Sequence, residues 1–247
     1  MHLTATVFTI LASDWRRLRR DKFLVGMSTY VIGVAIASRW IVPWLHAVVF
    51  ERLSFDIAPF IPMGISYFIL VNAAALCGIV GGLLLLESRE EGTLRALAVT
   101  PTAPMVHLGV LGAQMLVATF GLVCLEALIV GVGCPDSWLA VGTAALLIAP
   151  TGHAAGLILS ALASTKTEAF ALLKAVNVFG LVPLAAFFVP EPLQYIAGLV
   201  PSYWPCKIWW VAHDGGDWAW MVVPSVLVSL LWVGAFSWHF QRVARSA

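Results

Sequence analysis

The sequence predicts an all-α integral membrane protein with six transmembrane helices, forming one domain over residues 1–247. Hydrophobic residues make up 61% of the chain and charged residues 11%, and the mean hydropathy of +0.93 lies far outside the range of soluble domains. Apolar runs of about twenty residues, the length that crosses a bilayer as a helix, recur along the chain. Lysine and arginine are also distributed unevenly between the segments that join these runs.

The first 22 residues are predicted to form an interfacial helix. Their basic cluster follows the first apolar residues, whereas a cleaved signal peptide begins with its basic residues. The apolar residues Leu3, Val7, Ile10, Leu11 and Leu18 fall on one stripe, which suits a helix lying on an anionic inner leaflet. A short disordered basic tail is the alternative.

Six apolar runs are the predicted spans: Phe23–Pro43, Met63–Leu86, Met105–Val132, Trp138–Ala163, Phe170–Val189 and Trp218–Phe240. Charged residues and turn formers between the first two spans predict a short aqueous loop, and Ser164–Glu168 predicts a small polar loop. In the fourth span, Pro150 and Gly152 predict a kink.

Four polar side chains fall within the predicted spans and are candidate site residues. Arg39 and Glu126 both lie in the outer part of the bilayer by residue count, so we expect them to pair, with a role for Glu126 in the permeation path as the alternative. Asn72 is expected to join two helices by a hydrogen bond or to line a substrate path. His153, next to the predicted kink, is expected to take the hydrogen bond that Pro150 releases.

The segment 190–217 between the last two spans is apolar and aromatic but interrupted by Pro201 and Pro205. Its runs Leu193–Val200 and Tyr203–Val211 are too short to span a bilayer, so they predict interfacial or re-entrant helices. The aromatic residues of this segment are expected at the headgroup level: Tyr203, Trp204, Trp209 and Trp210.

A charged island, residues 87–104, lies between the second and third predicted spans. Gly92 permits a bend and Thr93 is a suitable N-cap for a short helix that ends before Pro101. On that helix Leu94 and Leu97 share one face, which predicts a small apolar knob suited to a groove in another protein.

This island resembles the cytoplasmic signature of type-2 ABC exporter permeases, the membrane subunits of drug, lipid and polysaccharide exporters. The resemblance is carried by Glu87, Glu90, Glu91, Gly92, Thr93, Leu94, Leu97, Thr100 and Pro101. It implies that the island is a coupling helix docking on a separate ATPase subunit, which would hold the ATP and Mg. It also implies an N-terminal elbow helix, re-entrant helices as an outer gate between spans five and six, and a dimer of permease chains.

The positive-inside rule predicts that both termini are cytoplasmic, in a multi-pass protein of the cell (inner) membrane. Two basic residues are assigned outside, Arg52 and Lys207. Eleven are assigned inside, namely Arg16, Arg17, Arg19, Arg20, Lys22, Arg89, Arg95, Lys166, Lys174, Arg242 and Arg245.

Several function classes are disfavoured. No Gly-x-x-x-x-Gly-Lys-Ser/Thr string is present, so we expect no ATPase site and no cofactor on this chain. A net charge of +1 indicates no nucleic-acid partner. A rhomboid-like intramembrane protease would need Ser66, within Gly64-Ile65-Ser66, to meet His153. That enzyme and a non-transporting membrane anchor remain the alternatives, and a Cys134–Cys206 disulfide stays open.

Overall fold

The computed structural model describes residues 22–90, 104–163 and 165–246, and over these ranges the chain is helical without strands. Its α-helices are α1 (Lys22–Leu53), α2 (Ile61–Ser66), α3 (Asn72–Glu90), α4 (Pro104–Val130), α5 (Trp138–Leu162), α6 (Lys166–Gly180), α7 (Val182–Phe187), α8 (Tyr203–His213) and α9 (Val222–Ser246). A π-helical turn, Tyr67–Val71, joins α2 to α3 without a break. Short 3-10 helices cover Ala58–Phe60, Leu193–Leu199 and Ala219–Met221.

Among the described residues, five helical stretches are long and apolar enough to cross a membrane, which makes this a multi-pass membrane protein. They are Thr29–Leu53, Ala58–Ser88, Gly109–Val130, Trp138–Leu162 and Ala219–Phe240. They correspond to the first four predicted spans and the sixth. The predicted elbow helix and most of the coupling segment lie outside the described residues, apart from Lys22, residues 87–90 and Pro104.

The predicted fifth span is broken in the structure. It forms α6, of 15 residues, and α7, of 6 residues, separated by Leu181. Pro183 has no backbone N–H and cannot continue the α6 hydrogen-bond ladder, so the chain restarts as α7 with Pro183 in its first turn. A continuous span over Phe170–Val189 is therefore not what the structure shows. Thr165 caps α6, since its hydroxyl accepts from the Glu168 backbone N–H at 3.3 Å.

The first helix is longer than predicted. α1 runs through Pro43 and ends at Leu53, so Glu51 and Arg52 belong to its last turn and not to an aqueous loop. The apolar residues after Pro43 continue the helix, and one lost hydrogen bond at a proline does not break it here. The connection to α2 begins at Ser54, and Asp56 Oδ1 accepts from the Ala58 backbone N–H at 2.9 Å and lies 3.0 Å from His46 Nε2.

Helix α5 is the centre of the molecule, and α3, α4, α6, α8 and α9 all pack against it. Its N-terminus is fixed by Ser137, whose hydroxyl accepts from the Ala140 backbone N–H. Fourteen of its residues are buried, distributed around the whole helix. Helix α5 runs through Pro150 without interruption, and the kink predicted there stays a prediction.

Glycines allow α3 and α5 to cross at close range. A Cβ on Gly152 would collide with the Ala74 carbonyl, and one on Gly78 would collide with the Gly152 carbonyl. The contact repeats one turn further along, where Gly82 meets Gly156. Small residues four positions apart on both helices bring the two backbones together. Helices commonly associate in this way in bilayers, because apolar side chains gain nothing by leaving lipid.

The segment between α7 and α9 packs onto one end of this bundle through indole hydrogen bonds. Trp209 Nε1 donates to the Gly133 carbonyl at 2.9 Å, and Trp210 Nε1 donates to Ser66 Oγ at 2.7 Å. Tyr203, Trp204, Trp209 and Trp210 are all buried in the protein. Their polar atoms find partners inside the protein, so these four rings are not surface-exposed, and their depth at the headgroup level stays a prediction.

Candidate functional site

Two of the predicted coupling residues fall at the end of α3. Glu87 lies in the last turn of that helix and is half-buried, and Glu90 is its final residue. The remaining residues of the motif lie outside the described part of the chain: Glu91, Gly92, Thr93, Leu94, Leu97, Thr100 and Pro101.

The expected ion pair between Arg39 and Glu126 is not formed. Arg39 is exposed on α1, and its Nη1 donates to the Ile129 carbonyl at 2.8 Å. Because α4 ends at Val130, that carbonyl is one of the unpaired acceptors of the helix terminus, and a guanidinium is well suited to cap it. Gly131, with φ +69°, then turns the chain.

Glu126 is enclosed in the core and makes no hydrogen bond to Arg39. It is 0% exposed, between Val123 and Ala127, which belong to the main hydrophobic cluster. Neither carboxylate oxygen has a hydrogen-bond partner among the described residues. Thr119, two turns earlier on the same face of α4, is also buried. The carboxyl group is therefore an unpaired polar group inside an apolar bundle.

His153 and Asn72 do not form the hydrogen bonds that the sequence predicts. The imidazole ring of His153 packs against Gly112 of α4, and its Nδ1 is buried without a partner in the described chain, so it does not take the hydrogen bond released at Pro150. Asn72 is half-buried at the junction of the π-turn and α3. No hydrogen bond joins its side chain to another described helix, so its alternative as a path residue stays a prediction.

Ser66 is held in a structural role. Its hydroxyl donates to the Met63 carbonyl at 2.8 Å and accepts from Trp210 Nε1. A nucleophilic serine needs its proton directed at a general base, and here that proton is directed at a backbone carbonyl. All four cysteines are free, so a Cys134–Cys206 disulfide is not formed. Within the described ranges no three His, Cys, Asp or Glu side chains come together as metal ligands.

A cavity of about 350 Å³ lies beside the glycine crossing. Helices α3, α5, α6 and α9 form its walls, and residues 200–202, just before α8, close one end. The walls are small and aliphatic, with Trp232 and Phe236 of α9 as the aromatic residues among the described lining. A pocket of this size and polarity is typical of sites for small organic molecules.

Two residues of the cavity lining, Thr151 and Ser202, have buried hydroxyl groups without a hydrogen-bond partner among the described residues. Thr143 on the same helix α5 donates to the carbonyl four residues earlier, at 2.8 Å. Thr151 does not make that bond. Ser202 is the N-cap residue of α8, yet its side chain makes no capping hydrogen bond, and it is 2% exposed.

The comparison with known proteins agrees with a transport role for such a bundle. A family model described as "fluoroquinolones export permease protein Rv2686c-like" matches residues 14–237. The chain belongs to this export permease family. Two relatives from strains of Mycobacterium tuberculosis, each named a fluoroquinolones export permease protein, are 28% identical to it over 232 residues, which is 90% of this chain and 89% of the relative.

Family membership confirms the resemblance to type-2 ABC exporter permeases that the charged island carries. The permease names of the relatives also indicate a transport subunit and not an enzyme. Sequence reasoning did not select Thr151, Ser202 or the aromatic pair of α9. Serine and threonine are common in membrane helices, and only the positions of neighbouring helices reveal which hydroxyls lack partners.

Proposed function

We propose that this chain is the permease subunit of an ABC exporter, coupling ATP hydrolysis on a separate ATPase subunit to outward transport of a hydrophobic or amphipathic molecule. The observation that carries the proposal is the match to an export permease family over nearly the whole chain. ATP and Mg would be held by the ATPase, docked on the coupling segment 87–104. The functional unit would contain two permease chains, identical or different.

The substrate would be a drug or a lipid-like molecule. Two relatives are named for fluoroquinolone export, so a fluoroquinolone is the first compound to test. The cavity supports the same chemical range, since its lining is almost entirely apolar. Six crossings, the fifth made by the interrupted segment α6–α7, would place both termini in the cytoplasm, with the elbow helix on the inner leaflet and residues 190–217 outside as a gate.

The proposal is tested by changing Leu94 and Leu97 together to glutamate. Loss of the apolar knob should release the ATPase subunit from the purified complex and abolish substrate-stimulated ATP hydrolysis, because an apolar face no longer fills its groove. Thr167→Glu adds a charge to another segment assigned to the cytoplasm and should leave both unchanged. If the double variant keeps its ATPase, the coupling assignment is wrong.

Cellular drug accumulation separates the exporter from the alternatives. Deletion of the gene should raise the intracellular level of the exported compound, and an intact copy should restore efflux. A chain that binds an ATPase but never alters accumulation would be a membrane anchor. A rhomboid-like protease would instead lose its activity in Ser66→Ala, with no dependence on ATP.

A further inference from the structure

We infer that the cavity beside the glycine crossing binds a neutral, compact aromatic molecule that carries a hydrogen-bond acceptor. The volume and the lining residues of the cavity indicate the size, the charge and the polar group of the ligand. The cavity volume of about 350 Å³ is at the lower end of the range for drug-sized ligands. A ligand of two or three rings fills such a volume.

The described lining offers no counter-charge to a charged ligand. None of the described lining residues is acidic or basic. A charged group that enters an apolar site without a counter-charge loses its hydration and gains nothing comparable in return. The ligand is therefore neutral in its bound form.

Aromatic side chains favour an aromatic ligand. Trp232 and Phe236 lie one turn apart on α9, with ring centroids 5.4 Å apart and planes inclined by 50°. Both line the cavity, opposite the small residues of α3 and α5. Aromatic rings prefer offset or edge-to-face partners at such distances, so these two rings present a surface on which a third ring packs.

The two unpartnered hydroxyls, on Thr151 and Ser202, favour a ligand with a hydrogen-bond acceptor. Both oxygens are covered by neighbouring atoms and neither has a hydrogen-bond partner in the described chain. A rotation about χ1 that turns either hydroxyl toward a ligand therefore breaks no existing side-chain hydrogen bond. A ligand carbonyl would satisfy a buried group that otherwise remains unpaired, and a hydrocarbon would not.

The same hydroxyls argue against a lipid acyl chain as the occupant. An acyl chain is extended and has no polar atoms along its length, so it fits neither the compact volume nor the hydroxyls. Whether the bound molecule is the exported cargo rests on the proposed function. Binding itself needs no ATPase and is measured on the permease alone.

The experiment uses benzophenone, a neutral two-ring ketone that inserts into nearby C–H bonds when irradiated. The full chain in phosphatidylcholine nanodiscs is labelled with benzophenone, and the labelled residues are located by peptide mass spectrometry. We expect labels concentrated on the cavity lining, including Leu172 and Phe236. Diphenylmethane has the same shape as benzophenone but lacks the carbonyl. As a competitor of cavity labelling it should be about fivefold weaker than an unlabelled benzophenone analogue, because one hydrogen bond typically contributes that factor.

Matched variants locate the effect. Thr151→Val should lower cavity labelling about fivefold, and Thr143→Val, which removes an already bonded hydroxyl from the same helix, should not. Ala75→Trp fills the cavity and should abolish labelling there, whereas Ala118→Trp, on the exposed face of α4, should leave it intact. Thermal unfolding of each variant shows that it remains folded, and Thr151→Val keeps the test valid if Ala75→Trp is unstable.

Three outcomes overturn the inference. Labels spread evenly over exposed helix faces, or equal competition by diphenylmethane and the ketone, would show that the cavity does not select an aromatic acceptor. A photoreactive acyl lipid that labels the cavity in place of benzophenone would show that the cavity holds lipid. If the Leu94 and Leu97 double variant keeps its ATPase while cavity labelling is observed, the coupling assignment is wrong and the binding site is still supported.

Discussion

Glu126 is fully enclosed by apolar side chains, and neither of its oxygens has a partner in the described chain. An ionised carboxylate in that position lacks both water and a counter-charge, so its ionised form is strongly disfavoured inside the membrane. Arg39 does not relieve this, since its guanidinium caps the end of α4. The two groups therefore contribute to stability by separate routes.

A double-mutant cycle on these two residues is expected to show no strong coupling. Arg39→Gln should lower the unfolding temperature in detergent because the Ile129 carbonyl loses its partner, a loss of about 1 kcal/mol. Glu126→Gln should be neutral or stabilising. The coupling energy should stay within about 0.5 kcal/mol, as for independent sites. A coupling energy above 1 kcal/mol, measured by thermal unfolding, would mean that the charges do pair.

Glu191 gives the segment between α7 and α9 a pH dependence. Its pKa is lowered from 4.5 by the hydrogen bond and the positive charge of Lys207 Nζ, 2.6 Å away. A lowered carboxyl pKa adds stability that is present above its ordinary value and is lost as the pH falls through the lowered value. Glu191 is more than half exposed, so solvent screening keeps this contribution small.

Wild-type protein should consequently lose thermal stability below pH 4.5 more steeply than Glu191→Gln. Asp136→Asn, on the exposed loop between α4 and α5, is the matched control and should follow the wild type. Unfolding temperatures recorded between pH 3 and pH 6 would test this. If the unfolding temperatures of wild type and Glu191→Gln change in parallel with pH, the contact between Glu191 and Lys207 is not the cause of the pH dependence.

At the scale of elements, the glycine crossing of α3 and α5 should tolerate no added methyl group. Gly152→Ala places a Cβ against the Ala74 carbonyl, and because backbone atoms must move, we expect a loss of about 1–3 kcal/mol. Gly142→Ala, two turns or more earlier in the same helix with nothing within 4 Å, should gain up to about 1 kcal/mol from helix propensity. Equal unfolding temperatures for the two variants would contradict the close crossing.

The elements differ in how far the sequence could predict them. The bounds of α5 agree with the prediction to within one residue, because a serine N-cap precedes an uninterrupted apolar run. The break between α6 and α7 was missed, since a proline in an apolar run is compatible with a continuous span, as Pro43 in α1 and Pro150 in α5 show. Local sequence does not reveal whether neighbouring helices stabilise a helix across its proline.

The site was less predictable than the fold. Sequence position placed Arg39 and Glu126 at similar depths but could not show which way each side chain points around its helix. Glu126 lies on a buried face of α4, and Arg39 lies on the exposed side of α1. The cavity was not predictable either, because its lining comes from four helices and a connecting segment whose relative positions only the folded chain defines.

For the whole molecule, the prediction concerns orientation in the membrane. In a chain lacking its native cysteines, single cysteines at Ser13 and Ser246 should resist an impermeant thiol reagent in intact cells, and one at Asp214 should react readily. The reason is the excess of basic residues assigned to the cytoplasmic side. Labelling of either terminus from outside would overturn the proposed topology.

The central position of α5 also has a consequence for biosynthesis. The ribosome releases α1 to α4 before α5 and releases α6 to α9 after it, so the first half of the protein enters the membrane with the α5-facing side of α4 uncovered. The glycine face of α3, which packs directly on α5, likewise meets lipid or the insertion machinery until α5 arrives. Between synthesis of Val130 and Leu162 the close crossing of α3 and α5 is therefore absent.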